Sequence, residues 1–135
     1  MTTPQGMKSL LRDQGGATVV EFAFAIPILI TLMIGILQFA IVMHTSGGLR
    51  HAVGEGLRYA KINPHATLEQ IDAKTRGALD GIDPGGITGI DYVRGKSNGA
   101  DFGRLTIEYQ ATPVVPFIPD RVIALKETRQ AYLQN

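Results

Sequence analysis

The stretch GATVVEF, residues 16–22, decides the architecture of this chain because it opens a long apolar run that holds one acidic residue at its start. From Phe22 to Met43 the sequence carries no formal charge, and its only polar side chains are Thr31 and Gln38. About 22 helical residues extend roughly 33 Å, enough to cross a hydrocarbon core of about 30 Å. The sequence therefore predicts a transmembrane helix over residues 17–43.

A buried core helix and a cleaved secretory signal both fit the apolar run less well. The sequence after His44 is too short to wrap a helix that is apolar on every side. A secretory signal would have an apolar region of about 7–15 residues, which is much shorter than this one. Basic residues flank the run on both sides, so the positive-inside rule does not decide its orientation. The small-residue junction before the run places the N-terminus in the cytoplasm and the C-terminal part outside it.

Glu21 needs a partner because an unpaired carboxylate inside a membrane costs roughly 2.5–3.5 kcal/mol at mid-span. A cut between Gly16 and Ala17 would create an α-amino group four residues before Glu21, and such an amine is largely cationic at neutral pH. Pairing Glu21 with the amine of a neighbouring subunit would offset the cost and set the stagger between the two helices. The alternative is a carboxylate that reaches the headgroups and has no partner.

The junction resembles a known family of processing sites. Gly16 followed by Ala17, with Glu21 and Phe22 at the fifth and sixth positions after the cut, is similar to the class IV prepilin sites of tight-adherence (Tad/Flp) pili. Major Flp pilins usually carry Tyr after the glutamate and are much shorter. Phe22 and the long C-terminal part therefore indicate a minor pseudopilin.

A second stretch after the apolar run carries the same resemblance. Residues 49–60 are similar to the "A-x-E-G-A-R-Y-A" stretch of TadE-like pseudopilins, through Glu55, Gly56, Arg58 and Tyr59. The related TadF type of minor pseudopilin shares the processing signature and is not separated from TadE by these residues.

The resemblance implies a function in assembling a type IVb pilus or its secretion machinery, and through the pilus in adhesion. It implies that a prepilin peptidase removes a cytoplasmic leader, residues 1–16, and that Glu21 and Phe22 serve peptidase recognition and subunit pairing. The implied partners are the prepilin peptidase, other pilins or pseudopilins including a TadF-like partner, the inner-membrane assembly platform and the lipid bilayer. The implied location is the cytoplasmic (inner) membrane, with a single pass, and the mature chain either enters the pilus or stays at its base.

The sequence predicts two features of the shape of the long helix. Pro27 removes a backbone hydrogen bond and should kink the helix there. Apolar residues recur at three- and four-residue steps from Leu49 to Ala60, which predicts that the helix continues as a stem over residues 44–62. Four glycines between residues 47 and 56 each weaken a helix by about 1 kcal/mol, so we expect a flexible or kinked stem.

The remainder, residues 63–135, predicts a small extracytoplasmic α+β domain. Thr67 and Gln70 form a capping box for a second helix, whose apolar stripe includes Leu68, Ile71 and Leu79 and extends to Asp80-Gly81. Three strands are predicted over residues 90–94, 104–111 and 121–132, and a helix is the alternative for the last. A loop over residues 95–103 joins the first two strands, with a turn at Asn98-Gly99. The whole is a pilin-like α+β fold with an antiparallel sheet of about three strands.

One apolar segment of this domain has two possible roles. Residues 114–119 contain three prolines and cannot form a central strand. Their apolar side chains could cover the edge of the sheet or dip into the membrane surface.

Composition argues against several classes of function. The net charge is +1 and falls to zero without the leader, so the mature chain has no basic surface for nucleic acid. His44, His51 and His65 are too far apart or too isolated to chelate one metal ion together, and no P-loop or nucleophile motif is present. We expect no enzymatic activity, no small-molecule substrate, no metal and no cofactor. The alternative to a pseudopilin is a permanently anchored single-pass membrane protein with an extracytoplasmic binding domain.

Overall fold

The fold is one long helix with a short helix and a sheet packed on its C-terminal half. A computed structural model describes residues 14–119 and 121–133, so residues 1–13 of the predicted leader lie outside the described residues. The elements are helices α1 (Gln14–Ile62) and α2 (Leu68–Gly77), a 3-10 turn (Pro84–Gly86), and strands β1 (Ile87–Ser97), β2 (Ala100–Ala111) and β3 (Ile123–Tyr132). The strands form an antiparallel sheet in the order β1-β2-β3. This arrangement confirms the predicted α+β fold class.

Helix α1 continues without a break through the predicted span and the predicted stem. The predicted stem is helical at all four of its glycines, and a kink or flexibility there stays a prediction. Two of these glycines lie where other elements approach the helix. A Cβ added at Gly48 would collide with the side chain of Ile82, and Gly56 is equally confined. The glycines therefore allow close packing against the stem, and that packing offsets their low helix propensity.

The hydrophobic core lies between the stem and the sheet. The stem contributes one face that recurs at three- and four-residue steps, as predicted, and β2 contributes its inward-facing residues. The buried members of this core are Leu49, Val53, Leu57, Ala60, Ile71, Ile82, Leu105, Ile107 and Tyr109. The alternation that predicted one face of β2 from Leu105 to Tyr109 is confirmed. Burial also raises the pKa of the Tyr109 phenol, and the nearby charge of Asp83 raises it further.

Helix α2 begins as predicted and ends earlier. Both hydrogen bonds of the capping box are present, between the Thr67 side chain and Gln70 N–H and between the Gln70 side chain and Thr67 N–H. The helix ends at Gly77 rather than at residues 80–81, because the N–H groups of Ala78 and Leu79 donate to carbonyls three residues back and tighten the last turn. Leu79 packs on the core from beyond the helix, whereas Leu68 is 62% exposed.

Strands β1 and β2 are longer than predicted because the connection between them is a two-residue turn. Asn98 and Gly99 both have positive φ, 51° and 80°, which is the requirement of a type I′ hairpin turn. The strands therefore continue directly into the turn, and residues 95–103 do not form a loop. Gly95 and Gly103 lie opposite aromatic rings, with the ring of Tyr92 2.9 Å from a Cβ added at Gly103.

The last segment is a strand, which confirms the preferred alternative for it. In the register of β2 and β3, Leu125 pairs with Tyr109 and Glu127 pairs with Ile107, so Glu127 is on the inward side of the sheet. Its carboxylate accepts hydrogen bonds from Arg50 Nε at 2.8 Å and from Ser46 Oγ at 3.3 Å. The hydrogen bond to Glu127 raises the pKa of the Arg50 guanidinium, and the charge of the same carboxylate raises it further. This contact fixes β3 against the polar side of the stem.

We predict that Ile71→Ala destabilises the protein by about 2–5 kcal/mol because it opens a cavity at a fully buried position. Leu68→Ala, on the same helix, should change the free energy of unfolding by less than about 0.5 kcal/mol because Leu68 is exposed. Urea unfolding of the full chain in detergent, followed by circular dichroism, measures both. Equal losses for the two variants would contradict this assignment of the core.

Candidate functional site

The predicted cleavage junction lies at the N-terminal end of α1. The helix begins at Gln14, so Gly16 and Ala17 occupy its first turn. Residues 16–22 are all exposed, and a Cβ added at Gly16 would have open space around it. The structure therefore leaves the peptide bond between Gly16 and Ala17 accessible from the surface of the helix.

Glu21 is exposed on the helix, one turn after Ala17. Within residues 14–119 and 121–133 it makes no ion pair with another residue of its own chain. Phe22, the other residue predicted for recognition, is also exposed. Both side chains are therefore free of the chain's own core and available to another molecule.

The helix that follows the junction exposes an almost continuous apolar surface. Most large apolar side chains from Val19 to Met43 are exposed, and α1 is the one helix among the described residues that is long and apolar enough to cross a membrane. Soluble monomers rarely expose apolar patches beyond a few hundred Å². This surface fits a membrane anchor. Pro27 lies inside the unbroken helix, and Thr31 Oγ1 donates to its carbonyl at 2.8 Å; the kink at Pro27 stays a prediction.

The predicted stem motif, Glu55, Gly56, Arg58 and Tyr59, lies near the C-terminal end of α1, and its glycine has a packing role. Gly56 is buried where α2 and β2 both reach the stem: an added Cβ would collide with Thr75 Oγ1 and lie 2.7 Å from Leu105 Cδ2. Glu55 and Arg58 form the predicted weak ion pair, with 3.8 Å between Oε1 and Nη1. This arrangement explains why the stretch needs a glycine at its centre.

Tyr59 connects the stem to α2. Its ring packs against the core, and Lys74 Nζ lies 5.7 Å from the ring centroid. Together with Glu55 and Arg58, it lines an open groove between the end of α1 and α2. The charged residues of the stretch are therefore on the surface, and its glycine is inside.

Within one chain, the junction residues and the stem motif are too far apart to form a single site. Glu21 and Glu55 are on the same helix and about 50 Å apart along its axis. The structure thus separates an exposed junction at one end of α1 from a packing motif at the other. Among the described residues, no group of three or more His, Cys, Asp or Glu side chains is placed to hold a metal ion.

The part of the chain after Ile62, which packs on the stem, is called the head. Two of its polar contacts are not predicted by the sequence. The pairing of Glu127 with Arg50 and Ser46 joins residues about 80 positions apart in the sequence. Arg94 donates to the carbonyl oxygens of Pro64 at 2.6 Å and Ala66 at 3.2 Å, which holds the connection between α1 and α2 against β1. A charged residue on the inward side of β3 indicates that Glu127 has a polar partner. This inward position can be assigned only when the register of β3 is known.

Comparison with known families identifies the N-terminal part. The model of the family described as TadE-like protein matches residues 16–58. This part of the chain is similar to TadE-like proteins. The match covers about a third of the chain, from the candidate junction to Arg58 of the stem motif. No match was found among curated proteins or among solved structures.

We predict that Gly56→Ala lowers the free energy of unfolding by about 1–3 kcal/mol, because the new methyl group overpacks the contact with Thr75 and Leu105. Gly47→Ala is the matched control. Its added Cβ meets nothing within 4 Å, so the higher helix propensity of alanine should stabilise the protein by up to about 1 kcal/mol. Denaturant titration in detergent should show a lower free energy of unfolding for Gly56→Ala and a higher one for Gly47→Ala. A neutral Gly56→Ala would contradict the packing role.

Proposed function

We propose that this protein is a TadE-like minor pseudopilin of a Tad/Flp-type pilus, processed between Gly16 and Ala17 and acting in pilus assembly and adhesion without catalysing a reaction. One observation carries the proposal. The family match begins at Gly16, and the junction there opens an exposed apolar helix on which Glu21 has no ion partner among the described residues.

The position of the junction on α1 favours access by a peptidase. The bond between Gly16 and Ala17 is in the first turn of the helix, where helices fray. Gly15 and Gly16 have low helix propensity, about 1 kcal/mol each below alanine. Local unwinding of this end therefore costs little. A peptidase can bind the backbone there without disturbing the head, which begins more than 20 residues later.

Removing the leader creates the partner that Glu21 lacks. After cleavage, the new α-amino group of Ala17 is one helical turn, about 6 Å, from Glu21 along the axis. The same two groups are exposed on a neighbouring copy of the helix, so an amine of one subunit can pair with a carboxylate of the next. A pair in an apolar environment is strongly favoured over two unpaired charges. The pairing therefore sets the axial stagger of packed helices.

The exposed apolar helix supplies the surface for lateral packing. From Val19 to Leu37 its large side chains are mostly exposed and available to lipid or to other pilin helices. A Cβ added at Gly35 would meet nothing in this chain, which leaves a smooth point where a second helix could approach. Helix packing of this kind does not require a catalytic group.

The proposal includes a location and a set of partners. The protein is inserted in the cytoplasmic membrane with its N-terminus in the cytoplasm and its head outside. Its partners are the prepilin peptidase, other pilins or pseudopilins including a TadF-like protein, and the assembly platform of the inner membrane.

A second candidate function is a permanently anchored single-pass protein whose head binds an envelope partner. The observation that favours it is the open groove between α1 and α2, lined by Glu55, Arg58 and Tyr59. In this case the leader would be retained and Glu21 would have no partner to find.

We predict that Glu21→Gln lowers assembly of the protein with other pilus subunits by at least about tenfold, because the loss of one buried ion pair of about 2 kcal/mol corresponds to more than a factor of ten. Glu69→Gln is the control: it makes the same charge change on the exposed surface of α2 and should leave assembly unchanged. Co-purification of tagged subunits from membranes measures assembly, and mass spectrometry of the N-terminus measures cleavage in the same samples.

The N-terminus of the native protein decides between the two functions. A mature chain that begins at Ala17 supports the pseudopilin. Retention of residues 1–16 in cells with an active prepilin peptidase would contradict it. Equal assembly of Glu21→Gln and Glu69→Gln would show that the carboxylate has no role in pairing.

A further inference from the structure

The connection between β2 and β3 is an apolar loop, and several of its large side chains are exposed. The loop is described over residues 112–119 and 121–122, and its two ends are adjacent because Ala111 pairs with Ile123. From Gln110 to Pro119 the sequence carries no formal charge. The large apolar residues Val114, Phe117, Ile118 and Val122 are exposed, and the side chain of Phe117 is 88% exposed. Such a surface is unfavourable in water.

The loop extends along α1 toward the centre of the predicted membrane span. At its base, Thr112 and Pro113 share a polar pocket with Gln38 and Asp83. At its tip, Phe117 shares an almost purely apolar pocket with Pro27 and Leu32. Pro27 and Leu32 are 11 and 6 residues before Gln38, so the tip lies about 9–16 Å further along the helix than the base.

We propose that the tip of this loop inserts among the acyl chains of the membrane leaflet on the head side, next to α1. This rests on α1 spanning the membrane and not on removal of the leader. Asp83 and Gln110 lie level with residues 38–45 of α1, so the polar part of the head begins there. Beyond that level, the loop beside α1 is apolar as far as Pro119. Its tip is therefore at the depth of one leaflet, about 15 Å.

The length of the helix supports the insertion. Between Glu21 and the level of Gln38 and Asp83, α1 has an apolar length of about 16 residues or 24 Å, which is less than the hydrocarbon thickness of about 30 Å. A short span is accommodated by tilting, by local thinning or by additional apolar groups near the interface. The loop supplies such groups where the helix alone is too short.

The backbone of the loop is suited to a site with little water. Every unpaired N–H group in hydrocarbon is costly, and an irregular loop normally carries many. Pro113, Pro116 and Pro119 have no N–H group, and Ile118 N–H donates to the carbonyl of Val115 at 3.2 Å. The loop thus has fewer donors to satisfy than an ordinary loop of the same length.

Phe117 has an unusual conformation that fits this role. Its φ is 64°, in the left-handed region that a bulky residue rarely adopts. Little packing in the chain itself compensates for that conformation, because the side chain is largely exposed. Strained residues persist where their position serves a function. Contact of the ring with lipid would provide the missing compensation.

The absence of tryptophan from the chain allows a direct test. Phe117→Trp places one fluorophore at the tip, and Val93→Trp places one on the exposed outer side of β1 as a matched control. Each full-length variant is reconstituted in phosphatidylcholine vesicles, with and without bromine on the acyl chains, at several protein-to-lipid ratios. We expect Trp emission of Phe117→Trp to be blue-shifted and to lose more than half its intensity in brominated vesicles. Val93→Trp should be unaffected by bromine and quenched by acrylamide.

Two results would overturn the proposal. One is a Phe117→Trp emission that is solvent-like, quenched by acrylamide and insensitive to bromine. The other is shielding that appears only at high protein-to-lipid ratios, which would show that a second copy covers the loop. Because both variants keep the junction intact and no peptidase is present, these outcomes are independent of the proposed processing.

Discussion

The structure depends on one constraint: a single helix is both the apolar anchor and one wall of the head's core. The stem face of α1, with Leu49, Val53 and Leu57, is buried against the inward face of β2. Helix α1 is continuous from Gln14 to Ile62, so the same helix carries the apolar anchor and the contacts of the head. Glu21 is about 50 Å along its axis from the part of the stem that enters the core.

The parts of the fold that were predictable are those whose signal is local in the sequence. The capping box of α2 needs only Thr67 and Gln70, and the burial of Leu105 and Ile107 follows from simple alternation along one strand. The ends of β1 and β2 at the hairpin could also have been predicted from the sequence. A type I′ turn at Asn98-Gly99 requires strands that continue directly into it, whereas the prediction placed a loop there.

The remaining features depend on partners far away in the sequence. Gly56 lowers the stability of the helix because of its low helix propensity. It is favourable only because it leaves room for Thr75 and Leu105, which lie 19 and 49 residues later in the sequence. Similarly, Glu127 is a charged residue on an inward-facing position, and only the register of β3 against the stem supplies Arg50 as its partner. At the junction, the pattern of residues identified the candidate site, and the structure adds its exposure.

The junction and the loop together bound the apolar part of the protein at both ends. Glu21 is the carboxylate at one end, and the level of Gln38 and Asp83 is the polar limit at the other. Under the proposed function, a subunit that leaves the bilayer for a filament must exchange lipid for neighbouring subunits over its whole apolar surface. For this chain that surface includes Phe117 and its loop as well as α1. A neighbouring subunit that covered only the helix would leave the loop in water, so entry into a filament requires a partner that contacts both.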